Sequence, residues 1–257
     1  MLLKGKKGLI TGVANDMSIA TAIAKLAKDH GAEVAISHQK ALKSRAKKVA
    51  KELNIKDVFE CEVMDSKSTA NLFKNIKNNF GEIDFVLHSI VYADKSTLTG
   101  KYLNTSLKDF NDSLAISCYS LNILIKESID LMKKGGSILT LSYHGAQKVM
   151  PSYNLMGVAK AALEASVRYL AADVGENNIR VNALSTGPVR TLASSAVTSF
   201  PKLMNAYSKI APLKRNITKE DIAKSALYFL SDLSSGVSGE THYVDCGYNI
   251  MGVGVLE

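Results

Sequence analysis

The stretch Gly8-Leu9-Ile10-Thr11-Gly12-Val13-Ala14-Asn15-Asp16-Met17-Ser18-Ile19-Ala20 decides the fold. Residues 8–11 read as a buried strand, Gly12 as a tight turn, and residues 18–30 as a helix stopped by Gly31. A strand that turns through glycine into a helix N-terminus is where a doubly wound sheet holds a pyrophosphate, because unpaired amides and the helix dipole converge there. Only Gly12 remains of the usual G-x-G-x-x-G, so on its own the turn also fits an ordinary strand–helix connection. Ser18 is placed to cap the helix and to offer a hydroxyl to a phosphate.

Outward from this turn the pattern repeats. Strands are expected at 33–37, 58–63, 85–89, 137–141, 179–184 and 241–244. Helices are expected between them: a basic one after residue 39, then 67–80, a long one over 107–133 ended by Gly135-Gly136, 154–174 and 219–233. Strands this apolar are buried on both faces, and their alternation with helices predicts an α/β fold: a single Rossmann-type doubly wound parallel sheet with helices on both faces. One domain over 1–257 is expected, with a substrate-binding lid at about 185–215. The irregular 185–201 follows the carboxyl end of a strand, where such sheets bind ligands.

Composition narrows the function class. At 46% hydrophobic and 22% charged, the chain has an ordinary globular balance, which excludes disorder. No uncharged run approaches the roughly 20 apolar residues of a membrane span, and the start lacks an apolar signal core. Cys61, Cys118 and Cys246 are odd in number and lack metal-ligand spacing, so no metal, no disulfide and a cytoplasmic location are expected. The net charge of +8 raises the question of nucleic acid, since Lys40, Lys43, Arg45, Lys47, Lys48 and Lys51 crowd one helix. Leu42, Ala46, Val49, Ala50 and Leu53 form an apolar stripe on that same helix, and no aromatic residue interleaves with the cations. The expectation is a solvated face and no nucleic-acid partner; an acidic protein partner is compatible with the charge.

The residues that carry chemistry lie further on. After the second strand comes Ser37-His38-Gln39-Lys40, where an acidic residue would favour NAD and a basic one NADP. Gln39 is neutral, while Lys40 and Lys43 leave the choice open. Leu141-Ser142-Tyr143-His144-Gly145 precedes Tyr153 by ten residues, and Lys160 follows Tyr153 by seven. Seven residues are nearly two helical turns, so Tyr153 and Lys160 share a face. An ammonium there can lower a phenol's pKa or orient a ribose, and a buried phenol can donate to a developing oxyanion. A Tyr–Lys pair can equally be packing plus a solvated amine. Leu155, Val158, Ala159, Ala162, Ser166 and Leu170 at core spacing place one edge of this helix at the ligand crevice.

Over essentially its whole length the chain resembles the short-chain dehydrogenase/reductase superfamily, and more narrowly its NADH-dependent enoyl-[acyl-carrier-protein] reductases. The resemblance runs through Gly12-Val13-Ala14-Asn15 with Ser18-Ile19-Ala20, His88-Ser89-Ile90, Leu141-Ser142-Tyr143 and Tyr153-Asn154-Leu155-Met156-Gly157-Val158-Ala159-Lys160. It continues through Arg180-Val181-Asn182-Ala183, Gly187-Pro188-Val189-Arg190-Thr191 and Ser238-Gly239-Glu240. Carbonyl reductases of the superfamily use Tyr-x-x-x-Lys with a serine thirteen residues before the tyrosine. Here those positions hold Met156 and Tyr143, and a thioether cannot donate a proton. The Tyr-x6-Lys spacing is that of the enoyl reductases.

The resemblance implies reduction of a trans-2-enoyl thioester in type II fatty-acid synthesis by NADH, with a carbonyl reductase or a silent dinucleotide-binding protein as alternatives. It implies Tyr143, Tyr153 and Lys160 as catalytic residues, with Tyr143 either acting in proton delivery or only lining the pocket. Gly12, Ser18, Ile19, Gln39, Glu62, Val63, Ile90, Lys160, Val189, Arg190, Thr191, Leu192 and Ala193 are the implied cofactor contacts. Ala93, Tyr143 and Tyr153 are the implied substrate contacts. It further implies a homotetramer and an acidic acyl carrier protein as partner, to be received near Lys202, Lys209, Lys214 and Arg215. Val91 stands where relatives have glycine, so diphenyl ether inhibitors that stack on the nicotinamide should be crowded, unless Val91 faces the core. Cys246 stands where two glycines are usual, and it is expected to be a small packing residue.

Overall fold

The computed structural model describes residues 1–192, 194 and 200–252. Its strands are β1 (Lys7–Ile10), β2 (Glu33–His38), β3 (Val58–Glu60), β4 (Phe85–His88), β5 (Gly136–Tyr143), β6 (Ile179–Thr186) and β7 (Thr241–Val244). They form one sheet in the order β3-β2-β1-β4-β5-β6-β7, every pair parallel. The helices are α1 (Ile19–Asp29), α2 (Lys43–Glu52), α3 (Ser66–Phe80), α4 (Leu107–Leu114), α5 (Ser120–Ser128), α6 (Leu155–Val174), α7 (Phe200–Ile210) and α8 (Lys219–Leu230).

Adjacent residues on each central strand feed opposite cores. Ile10, Leu87 and Leu139 pack with α1 and α8, through Ile23, Ile222 and Phe229. Leu9, Val86 and Ile138 pack on the other face with Leu72, Leu121 and Leu163. This explains the absence of polar–apolar alternation in the strands: the pleat sends one side chain into each of two covered faces. On α2, Ala46, Val49 and Ala50 are buried while Lys47, Lys48 and Lys51 are exposed, which is the solvated basic face expected from its stripe.

The order reverses between β1 and β4, whose connections run to opposite sides of the sheet. At such a point the loops part and leave a crevice at the carboxyl ends. Strands β5 and β6 run two residues past their expected ends, because Ser142 pairs with Ser185 and Tyr143 with Thr186. Tyr143 is thereby carried to the rim by the sheet itself.

The helix expected over 107–133 is not continuous. A π-helical turn, Ala115–Tyr119, separates α4 from α5, and a 3-10 turn, Ile129–Leu131, follows. The hydroxyls of Ser113 and Ser117 each donate to the Tyr92 carbonyl at 3.0 Å, and the Tyr92 amide donates to Ser117 Oγ at 2.9 Å. These long-range bonds anchor the loop after β4 to the helix where its winding loosens. No helix among the described residues is long and apolar enough to cross a membrane.

Candidate active site

The carboxyl ends of β1, β2, β4, β5 and β6 open onto a cleft of about 590 Å³. Its first wall is mostly backbone. Gly12 adopts φ +74°, and a Cβ there would lie 1.8 Å from the Ser89 carbonyl oxygen, so glycine is required both for the turn and for the approach of β4's loop. The Thr11 hydroxyl donates to the Leu87 carbonyl at 2.9 Å and accepts from the Ser89 amide at 3.2 Å, tying the two loops together. Ser18 occupies the N-cap position of α1 but does not cap it through its side chain. Its Oγ instead accepts from the amides of Ala14 (3.2 Å) and Asn15 (3.1 Å). The hydroxyl braces the turn, which leaves the capping role, and the first-turn amides, to an incoming anion.

Gln39 is exposed at the lip of the cleft and Val63 is buried within it. Glu62 is held by its Oε1 accepting from the Lys40 amide at 2.8 Å. Lys43 lies 3.8 Å from Glu60, and neither Lys40 nor Lys43 lines the cleft. Cys61 does line it, and burial pushes its thiol up to about 11. Beneath this wall His88 is 1% exposed with both ring nitrogens bonded: the Thr140 hydroxyl meets Nδ1 and Nε2 meets Ser120 Oγ, each at 2.7 Å. Burial, helped by the Lys160 charge, drops its pKa to about 3, so it is a neutral strut.

The opposite wall is made of phenols. Tyr153 does not share a helical face with Lys160 as its spacing predicts: it lies in the turn before α6, between two non-glycine residues at positive φ, Ser152 at +61° and Asn154 at +37°. Such backbone is costly and persists where surrounding structure enforces it. Below its ring lies Gly145, where a Cβ would sit 2.5 Å from Tyr153 Cδ1. The Tyr143 ring meets Tyr153 edge-on, with centroids 4.8 Å apart and planes at 69°. Burial holds both phenols above their ordinary range, so each stays protonated at neutral pH.

Lys160, two turns into α6, is 6% exposed and donates to the Leu141 carbonyl at 2.7 Å. Burial pushes its pKa down to about 8, against the pull of Cys118 and Glu164. Glu164, one turn on, accepts from the Ser142 hydroxyl at 2.5 Å, and burial raises its pKa. Met156 is 4% exposed and lines the cleft, its Sδ accepting from the Ser113 hydroxyl at 3.8 Å.

The cleft therefore brings together Gly12, Ser18, Ile19, Gln39, Glu62, Val63, Ile90, Ala93, Tyr143, Tyr153, Lys160, Val189, Thr191 and Leu192. Arg190 is exposed and does not line it, and Ala193 lies outside the described residues, as do Ser195 and Ala196 of the expected lid. Val91 lines the cleft and is 42% exposed, which excludes the core-facing alternative. Sequence reasoning missed Met150, Pro151, Leu98, Phe200 and Leu203, which also line it. Only the expected lid over about 185–215, which contains α7, pointed toward the last two.

The fold and this site define a class: dinucleotide-dependent oxidoreductases in which a tyrosine in the turn before a helix and a buried lysine on that helix face the cofactor crevice. A family model described as enoyl-(acyl carrier protein) reductase matches residues 12–249. The chain is 58% identical to an NADH-type enoyl-[acyl-carrier-protein] reductase of Rickettsia typhi, over 98% of this chain and 97% of that one. To a second NADH-type enoyl-[acyl-carrier-protein] reductase, from Rhizobium meliloti, it is 49% identical, over 100% of this chain and 96% of that one. Among solved structures it superposes on the Anaplasma phagocytophilum reductase in complex with NAD with a TM-score of 0.96, at 49% identity, covering 100% and 98% of the two chains. The chain belongs to the enoyl-[acyl-carrier-protein] reductase family of the short-chain dehydrogenase/reductase superfamily.

Proposed function

We propose that this enzyme reduces trans-2-enoyl thioesters, carried on acyl carrier protein, with NADH. The observation that carries the reading is Tyr153 and Lys160 in one cleft with Met156 at the position where carbonyl reductases need a phenol. The dinucleotide fits the residues present: Gly12 leaves room that a Cβ would fill, α1 offers uncapped amides, and Gln39 brings no cation for a 2′-phosphate. Gly12, Ser18 and Ile19 would hold the pyrophosphate side, and Gln39, Glu62 and Val63 the adenosine. Ile90, Val189, Thr191 and Leu192 would flank the nicotinamide, with Arg190 and Ala193 beside them. When bound, NADH supplies the hydride that adds at the β-carbon.

Negative charge then builds on the thioester oxygen as an enolate. Tyr153, kept neutral by burial, donates to that oxygen from a backbone that already holds its ring in place. Lys160 holds the ribose hydroxyls, and its bond to the Leu141 carbonyl fixes its reach. Ala93 and Tyr143 wall the acyl chain, and the 185–215 segment with α7 covers it as a lid. Exposed Lys202 and Lys209 steer the acidic carrier protein, whereas Arg215 is paired with Asp221 at 2.6 Å. A cytoplasmic homotetramer is the assembly we infer from family resemblance; exposed Leu107, Tyr119 and Tyr169 offer apolar surface for it to cover. Light scattering at assay concentration tests the assembly.

The function is tested by following NADH oxidation with crotonyl thioester and, separately, a panel of ketones. Turnover of the thioester is expected. Turnover of ketones alone would establish the carbonyl-reductase reading, and cofactor binding without turnover of either would establish a silent protein.

A further inference from the structure

Helix α7 carries a residue that no motif predicts. Tyr207 is 1% exposed, and its hydroxyl is buried without a hydrogen-bond partner among the described residues. Its ring stacks on Tyr248, centroids 3.6 Å apart and planes within 14°, so the side chain is fixed while its polar end is not. Tyr143, at the end of β5, shows the same defect: a buried, unpartnered hydroxyl on a ring that packs edge-on against Tyr153. The two hydroxyls are neighbours that act on each other as donor and acceptor without closing to full hydrogen-bond geometry, and burial keeps both phenols protonated. A buried polar group without a partner is costly, and natural proteins keep few of them. Two such neighbours, one ending β5 and one on a helix expected to seat over the substrate, are a hydrogen bond not yet closed.

We propose that Tyr207 is a positioning residue: when α7 seats over the acyl chain, its hydroxyl bonds that of Tyr143, and the locked Tyr143 ring holds Tyr153 in its donating orientation. The linkage runs from the Tyr248 stack through Tyr207 and Tyr143 to Tyr153, from the lid to the group that meets the thioester oxygen. It rests on the assignment of Tyr153 as oxyanion donor. The same linkage makes the donor's orientation depend on a bound acyl chain, so that NADH alone leaves it loose.

Tyr207→Phe keeps the stack and deletes the hydroxyl. With crotonyl thioester, kcat is expected to fall about 2- to 10-fold, the worth of one neutral hydrogen bond, while KM for NADH stays the same. In a Tyr143→Phe background the same substitution is expected to change nothing further, because its partner is gone. Independent, multiplicative effects of the two substitutions overturn the proposal, as does a Tyr207→Phe enzyme with a lowered melting temperature and unchanged kcat. Either outcome leaves the Tyr153 assignment standing. Tyr153→Phe, measured alongside, tests that assignment: a loss of less than about tenfold there removes both.

Discussion

The two walls of the cleft are built in opposite ways. On the cofactor wall Thr11 is bonded to the Leu87 and Ser89 backbone, Ser18 to its own turn, Glu62 to the Lys40 amide and His88 at both nitrogens. On the acyl wall the hydroxyl of Tyr143 is buried without a partner among the described residues, as are the Tyr207 hydroxyl and Nδ1 of His144, which both pack against Tyr248. Positive φ at Ser152 and Asn154, on either side of Tyr153, adds backbone cost there. The cofactor wall is preorganised and binds without rearrangement, whereas the acyl wall keeps groups in reserve for a ligand to satisfy. The difference teaches where a substitution will register: in cofactor affinity on one side, in turnover on the other.

The largest expected effect tests that division directly. Tyr153→Phe should lower kcat with crotonyl thioester by about 10²–10³-fold while leaving the NADH dissociation constant unchanged. A matching loss of NADH affinity would show that the walls are not separate.

Val91 stands at the border between them. Removing its branched side chain should tighten binding of a diphenyl ether inhibitor in the presence of NAD⁺ by about 5- to 150-fold, the usual range for relieving a crowded site. The KM for crotonyl thioester should change little, because the natural chain is thinner and flexible. Inhibition by the Val91→Gly enzyme against wild type decides it, and unchanged or weaker binding would remove the crowding argument.

A third test uses pH. Free Lys160 loses its proton as pH rises through about 8, and the protonated form is the one expected to hold the ribose. NADH affinity, followed by its fluorescence, should therefore weaken by about tenfold between pH 7 and pH 9, with most of the loss above pH 8. Tyr153 stays neutral across this range, so the profile belongs to the lysine. A flat profile would mean that the ammonium contributes nothing to the cofactor wall.

The smallest effect probes strain that lies away from both walls. Cys246 adopts φ +59° beside Gly247 at +83°, a conformation that favours glycine. Cys246→Gly should raise stability by about 1 kcal/mol, roughly 2–4 °C in Tm, with kcat unchanged. A loss of turnover on relieving this strain would show that the turn at Cys246 acts on the site.

The strand pattern was legible because buried parallel strands must be apolar on both faces. The Tyr-x6-Lys spacing pointed to one cleft for the wrong reason: Tyr153 lies in the turn before α6, between positive-φ Ser152 and Asn154, so it shares the cleft with Lys160 without sharing a helical edge. The break between α4 and α5 was not legible, since its cause is a pair of serine hydroxyls bonded to Tyr92, more than twenty residues back. Ser18 has the identity of a cap and the position of a cap, yet its hydroxyl is taken by two amides of the turn before it. Tyr207 reads as one more aromatic on an amphipathic helix; only the approach of β5 reveals its hydroxyl opposite Tyr143. What sequence periodicity encodes is which face turns inward. Which polar atoms meet there depends on contacts between distant elements.

The thiol in the cleft has a consequence of its own. A trans-2-enoyl thioester is a Michael acceptor, and any thiolate beside it is a nucleophile for the same β-carbon that takes the hydride. With its pKa near 11, Cys61 is ionised in only about one molecule in 10⁴ at pH 7, compared with about one in 10² at the unperturbed 9.0. The reactive form is the thiolate, so burial slows self-alkylation, though by less than that hundredfold because a thiolate of higher pKa is also the stronger nucleophile. Cys61 adjoins Glu62 and Val63 at the end of the cleft assigned to adenosine, so its burial guards against an enoyl thioester that enters the cleft without cofactor. Intact-protein mass spectrometry after prolonged exposure to crotonyl thioester should show no adduct at that residue.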